Sequence, residues 1–169
     1  MGVLINPANL SRNQIEDIAE AFAKATNYVP GRTDIRSYVE QLGGIIEDVG
    51  NNEDSNGGTI EVRGAKEFTI RLFLYTSPKR KNFTIAHELG HYVLHSRLGQ
   101  EQIIAQRNGN NDLAEREANS FAAAFLMPEK EVRERFDVET PGIIGNLAET
   151  FNVSISAMDW RCRNLKLIQ

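Results

Sequence analysis

An α+β fold is expected for this chain: a small sheet of about three strands packed on helices, followed by a short helical C-terminal segment. Three observations lead there. Helical spacing of apolar residues dominates both ends of the 169-residue sequence. Between residues 45 and 75, three short segments carry β-branched or alternating apolar residues, separated by polar and glycine-containing stretches. The length suits one domain, or one domain with a small appendage, and the expected division is 1–138 and 139–169.

Ser11-Arg12-Asn13-Gln14 reads as a capping box, opening a helix with Ile15, Ile18, Ala19 and Phe22 on its apolar face. Pro30-Gly31 breaks the chain. Thr33 or Asp34 then caps a second helix, with Ile35, Tyr38, Val39 and Leu42 apolar and Gly43-Gly44 at its end. Both helices are expected to cover one side of the sheet. The strands are expected at 45–49, 59–63 and 68–75. In the third, Phe68, Ile70, Leu72 and Leu74 alternate with Thr69, Arg71, Phe73 and Tyr75, so both faces carry apolar surface. It arrives just before the histidine-bearing helix, and as an edge strand it would accept an extended peptide by backbone hydrogen bonds.

Ser77-Pro78 ends that strand. Lys79-Arg80-Lys81 follows, read either as a solvated turn or as an attractor for an acidic substrate segment. Asn82 or Thr84 is expected to cap the next helix, which runs to His95 or Ser96. Gly90 inside it costs roughly 1 kcal/mol against alanine, a cost that points to close packing against a neighbour. Residues 97–112 are polar and read as a loop, mobile or functional, with room for one helical turn at 102–106. Asn111 or Asp112 opens a buried helix at 113–127, rich in alanine and phenylalanine, and Pro128 starts a charged helix reaching Phe136.

Nineteen basic residues against 23 acidic ones give a net charge of −4, so no overall basic field favours nucleic acid. A lone cysteine, Cys162, excludes an intrachain disulfide and fits a reducing interior. The first seven residues have no basic region and too short an apolar run for a signal peptide, and no stretch is long enough to span a bilayer. A soluble, cytoplasmic protein without a membrane partner is expected.

The chemistry is concentrated at Phe83 to His95, which holds all three histidines of the chain. His87 and His91 lie four apart with Glu88 between them, so both imidazoles share one helix face while Glu88 points about a quarter turn away. Two imidazoles can then hold one metal ion, and Glu88 can reach a water bound to it. The competing reading is a surface helix that merely carries histidines. A catalytic zinc site needs a third protein ligand. The H-E-x-x-H-x-x-G-x-x-H continuation is excluded, because Leu94 and Arg97 stand where its glycine and last histidine would be. His95 lies two turns from His87, about 12 Å along the axis, and reads as structural or hydrogen-bonding. Glu115 and Glu117 are the remaining candidates. Glu115 is favoured, since it shares a face with the small residues Ala118 and Ala122 and with Asn119, which can support a ligand histidine from behind. Glu117 reads as solvated or salt-bridged. Tyr92 and Tyr75 are candidates for stabilising an oxyanion, or are packing residues.

Phe83 to His95, followed by Glu115-Arg116-Glu117-Ala118-Asn119-Ser120-Phe121 and on to Met127-Pro128, resembles the ImmA/IrrE family of zinc-dependent metallopeptidases, which is gluzincin-like. The resemblance runs over most of the chain. It implies a zincin-like domain, with zinc held by His87, His91 and Glu115 and with Glu88 as the catalytic glutamate. It further implies a protein substrate, an Xre-type helix-turn-helix repressor of a mobile element or stress operon. Manganese or iron(II) suits two histidines and a carboxylate as well. The extra C-terminal sensor domain of some members is not expected within these 169 residues.

Residues 147–161 resemble a helix-turn-helix, with Ser154 capping the second helix. Arg161, Arg163 and Lys166 are the residues such a helix would set against DNA, yet Glu149 and Asp159 offset much of that charge. Packing on the catalytic domain, or protein recognition, is favoured over DNA binding. The rival to the peptidase is therefore a DNA- or protein-binding transcription regulator whose metal site is not used for proteolysis.

Overall fold

The computed structural model describes residues 5–50, 57–73, 76–106 and 112–169. Seven helices and four strands are found there. Ser11 Oγ accepts from the Gln14 N–H and Gln14 Oε1 accepts from the Ser11 N–H, so the capping box forms and opens α1 (Arg12–Ala25). Asp34 caps α2 (Ile35–Gln41). Then come β1 (Gly44–Val49), β2 (Gly58–Gly64) and β3 (Glu67–Phe73).

The strand order is β1-β3-β2-β4, with β3 parallel to β1 and antiparallel to β2. β3 is thus bonded on both sides and cannot take an added peptide strand. The edge role expected for it is corrected: the β2–β3 hairpin leaves one flank of β3 open, and β1 fills that flank. Residues 103–106, where a helical turn was allowed for, form the fourth strand instead. In β4 (Ile103–Gln106), Ile103 and Ala105 are buried against the core while Ile104 is exposed, the period of two that a strand requires. Its partner is β2, antiparallel.

The helix of the histidines starts earlier than expected. Ser77, not Asn82 or Thr84, is its cap: Ser77 Oγ accepts from the Arg80 N–H, and Pro78 occupies the first turn of α3 (Pro78–Gly90). The basic run therefore lies at the positive end of the helix dipole. Lys79 is paired with Glu149 and Lys81 with Asp48, which offsets that placement. Past Gly90 the backbone widens into a π-helical turn, His91–His95, closed by the Ser96 N–H to His91 O bond at 2.9 Å.

α3 lies between the sheet and α4 (Asp112–Leu126). Ile85 and Leu89 face the core from α3, and Phe121 and Phe125 from α4, each at most 1% exposed and each contributing about 1.5–3 kcal/mol by burial. α1 does not cover the sheet; it packs on α4, with the Phe22 ring 6.2 and 6.1 Å from those of Phe121 and Phe125. Of the first two helices only α2 sits against the sheet, beside β1. The chain closes with α5 (Glu129–Arg135), α6 (Ile143–Phe151) and α7 (Ile155–Asn164). α6 and α7 meet at Asn152, in the left-handed region with φ 53°, and Ser154 caps α7. Leu147, Phe151, Met158 and Cys162 join the buried cluster that includes Ile15 and Phe121.

Candidate metal centre

Gly90 is the point where α3 and α4 cross. A Cβ there would stand 3.0 Å from Ala118 Cα and 3.1 Å from its carbonyl oxygen, so a glycine facing an alanine permits the approach. One turn before each contact residue lie His87 and Glu115, and the crossing brings them together. His87 Nε2 is 3.1 Å from Glu115 Oε2, His91 Nε2 is 3.2 Å from Glu115 Oε1, and the two Nε2 atoms are 3.2 Å apart. These three residues form a group of metal-capable donors, with their atoms within 4.8 Å of one another. Both histidines are 1% exposed.

The outer hydrogen bonds decide what those nitrogens offer. His87 Nδ1 faces Asn119 Oδ1 at 2.8 Å, an acceptor, so Nδ1 carries the proton and Nε2 a lone pair. His91 Nδ1 faces His95 Nδ1 at 2.9 Å, and His95 Nε2 faces the Glu117 carboxylate at 2.9 Å. A carboxylate only accepts, so His95 donates from Nε2, accepts at Nδ1, and leaves His91 protonated at Nδ1 with a lone pair on Nε2. Two lone pairs and a carboxylate then converge at 3.1–3.2 Å, which a cation at their focus would satisfy. For ligand bonds of about 2.0 Å, the edge of a tetrahedron is about 3.3 Å, so the spacing also fits zinc.

The charge states of His91 and Glu115 suit a cation-binding site, and His87 would give up a proton to join it. Burial opposes charge on His87, but Glu115, Glu88 and Asn119 outweigh it and its pKa is raised. Burial is the largest influence on His91, aided by the positive charge on His87 and His95, and it drives His91 down to about 4 despite Glu115. Burial would raise Glu115, yet its bonds to His87 and His91 hold it well below the usual carboxylate range. His91 therefore stays neutral and Glu115 ionised near neutral pH, which is what metal ligation demands.

Glu88 is 1% exposed and lies on α3 beside His87, on whose charge it acts. β2 makes room for it: a Cβ on Gly58 would stand 3.3 Å from Glu88 Oε1 and 2.7 Å from Thr84 Cγ2. Tyr92 is a packing residue, stacked on Phe68 at 4.3 Å between centroids, with its hydroxyl accepting from the Lys66 N–H at 3.4 Å. That corrects its candidacy for an oxyanion; Tyr75, the other candidate, lies outside the described residues, as do Leu74 and Asn111. A cavity of about 530 Å³ borders the centre at Asn119, the partner of His87, and is lined further by Thr84, Arg80, Phe83, Ser156 and Trp160. The C-terminal segment thus supplies one wall, which periodicity alone could not reveal.

Arg161, which a DNA-reading helix would present outward, is buried, as the favoured packing reading expects. It is 1% exposed, forks onto Glu16 of α1 at 2.5 and 2.9 Å, and donates from Nε to the Met127 carbonyl at 2.9 Å. Arg163 is paired with Asp159. Burial would raise the Glu117 pKa, but His95 and the N–H groups of Ala8 and Leu10 lower it, so Glu117 is a buried, bonded carboxylate rather than a solvated one.

The profile of the Peptidase_M78 family, described as the IrrE N-terminal-like domain, matches residues 54–163, well over half of the chain. Metallopeptidase ImmA of Bacillus subtilis (strain 168) is 30% identical over 83 residues, 49% of this chain and 49% of that protein. A solved structure, a Mycobacterium tuberculosis transcriptional regulator, aligns with a TM-score of 0.56 at 19% identity, covering 89% of this chain and 46% of that one. The last likeness is one of fold. This chain spans about half the length of these relatives. Among the described residues, no helix is long and apolar enough to cross a membrane.

Proposed function

The chain belongs to the ImmA/IrrE family, and on that premise we propose that it is a zinc-dependent metallo-endopeptidase of the cytoplasm that cleaves an Xre-type helix-turn-helix repressor of a mobile element or stress operon. The observation that carries the reading is the convergence of His87 Nε2, His91 Nε2 and the Glu115 carboxylate, beside the buried Glu88. His87, His91 and Glu115 would hold the ion, with Asn119 fixing the His87 ring from behind. When bound, zinc supplies Lewis acidity, polarising a carbonyl and making water acidic enough to attack near neutral pH. Manganese and iron(II) suit the same donors, and metal analysis of protein purified without added metal decides among them.

Glu88 would take the proton of the attacking water and hand it to the departing amine. Asn119 and Thr84 open onto the cavity, so the peptide would lie between α3 and the start of α7, against Phe83 and Trp160. Of the basic run, Lys79 and Lys81 are engaged, whereas Arg80 has no ion-pair partner among the described residues and lines the cavity. An acidic residue near the cut would meet it.

Residues 1–138 are proposed as the catalytic domain and 139–169 as a segment packed upon it. Support comes from the Arg161–Glu16 fork, the Arg12 bond to the Asn164 carbonyl and the Arg133 bond to the Leu165 carbonyl. Such packing disfavours the rival DNA-binding regulator, since it occupies the arginine that a reading helix would present.

Co-expression with a candidate Xre-type repressor, followed by mass spectrometry of fragments, tests the activity. Cleavage should vanish in Glu88→Gln while zinc content persists. A Glu88→Gln protein that still cleaves, or still relieves repression fully, refutes the mechanism.

A further inference from the structure

We propose that His95 and Glu117 are positioning residues for the metal centre, and that through them the N-terminal segment at Ala8 and Leu10 is coupled to metal binding. The inference rests on the metal site of the preceding reading and is independent of whether the site cleaves peptides. Glu117 and His95 side chains are 2% and 0% exposed. Three donors meet the carboxylate: the Ala8 N–H at 2.8 Å and His95 Nε2 at 2.9 Å on one oxygen, and the Leu10 N–H at 3.1 Å on the other.

Because the carboxylate accepts from all three, the proton positions are fixed from one end to the other. His95 must donate from Nε2, so its Nδ1 accepts from His91, whose Nε2 is left bare toward the metal. With both rings neutral, no other pair of tautomers satisfies both the 2.9 Å contact between the two Nδ1 atoms and the contact of His95 Nε2 with the carboxylate. His91 is thus held by a carboxylate acting through a second imidazole, while His87 has only the Asn119 amide. The π-helical turn bears both rings of the relay, with centroids 5.0 Å apart.

The far end of the relay is backbone of the N-terminal segment. Ala8 and Leu10 precede α1 and lie outside the matched residues 54–163, so this link is a property of the chain beyond the family match. When those two N–H groups dock, the carboxylate is held where His95 needs it, and His91 is oriented for the ion. Coupling of this kind is reciprocal: metal binding must strengthen N-terminal docking by the factor that docking strengthens metal binding.

The test uses the full chain and zinc alone as the probe. Zinc affinity, measured by competition with a chromophoric chelator, should fall about 10–100-fold in Glu117→Gln and at least as far in His95→Leu. Ala8→Pro, which removes one N–H donor, should weaken it several-fold. Val132→Ala, in the core of α5, should lower thermal stability with the affinity unchanged. In the metal-free protein, nitrogen-15 shifts should show His91 protonated at Nδ1, and Glu117→Gln should change that signature. Zinc should slow amide exchange at Ala8 and Leu10. An affinity within twofold of the parent in both Glu117→Gln and Ala8→Pro overturns the proposal, as does exchange at residues 8 and 10 indifferent to zinc. A parent protein that binds no zinc overturns the metal reading itself, a separate result.

Discussion

Replacing Arg161 with leucine separates the two roles that the C-terminal helix could have. In the structure its guanidinium is bonded to both oxygens of Glu16 and to the Met127 carbonyl. Removing one partner of a buried pair costs about 3–5 kcal/mol, because the other charge is left uncompensated. The Glu16 side chain is 15% exposed and can partly rehydrate, which places the loss at the lower end, about 3 kcal/mol. At about 2.1 cal/mol/K per residue, a chain of this size has an unfolding entropy of roughly 0.35 kcal/mol/K, so Tm should fall about 9 °C. Glu16→Leu should cost more, since Arg161 is 1% exposed and cannot rehydrate. The double variant Glu16→Leu/Arg161→Met should recover most of the loss, because a buried pair exchanged for apolar side chains is often neutral or stabilising. Urea unfolding followed by circular dichroism measures all three, and fluorescence anisotropy with duplex DNA at low salt measures the rival role. If Arg161→Leu keeps its stability within 1 kcal/mol, or loses DNA affinity more than tenfold while remaining as stable as the parent, the packing argument is refuted.

Zinc at a thousandfold excess over its Kd should stabilise the protein by about 4 kcal/mol, seen as a Tm rise of roughly 12 °C that a chelator reverses. Glu88→Gln should retain that rise while its turnover falls about 10²–10⁴-fold, a split that binding and cleavage assays on one preparation resolve. Gly90→Leu would push α4 away from α3 at Ala118, so zinc affinity and Tm should fall together; a variant that binds zinc normally would show that the crossing does not set the ligand distances. Gly58→Ala should instead spare zinc affinity and reduce turnover about 10–100-fold, because the nearest neighbours of the added Cβ are Thr84, the Arg71 carbonyl and Glu88 rather than His87, His91 or Glu115.

Much of the centre was legible because its spacing is local. His87, Glu88 and His91 lie within one helical turn, and the small residues after Glu115 announced a close helix contact that the structure shows at Gly90 and Ala118. The choice between Glu115 and Glu117 was harder to read. Two carboxylates two residues apart lie on opposite sides of a helix, and only the crossing of α3 and α4 assigns one to His87 and His91 and the other to His95. The fourth strand was hidden by its length: Ile103 to Gln106 carries too few residues for a period of two to stand out, and it becomes a strand by pairing with β2. The order of the sheet was equally out of reach, since alternation in β3 reports two half-apolar faces but not how many neighbours the strand has.

The C-terminal segment shows where pattern and role part company. A capped helix, a left-handed asparagine and a second capped helix give the same periodicity whether the second helix enters a groove or lies on its own protein. What distinguishes the cases is the destination of the arginine four residues before Leu165. A reading helix sends it outward to phosphate or base; here it runs inward, to a glutamate of α1 and to the carbonyl that ends α4. That anchoring has a consequence for the centre. Because α7 is pinned to α1 and to the end of α4, Ser156 and Trp160 are held where they line the cavity beside Asn119, and in the proposed function the segment would be a wall for substrate rather than a probe for DNA.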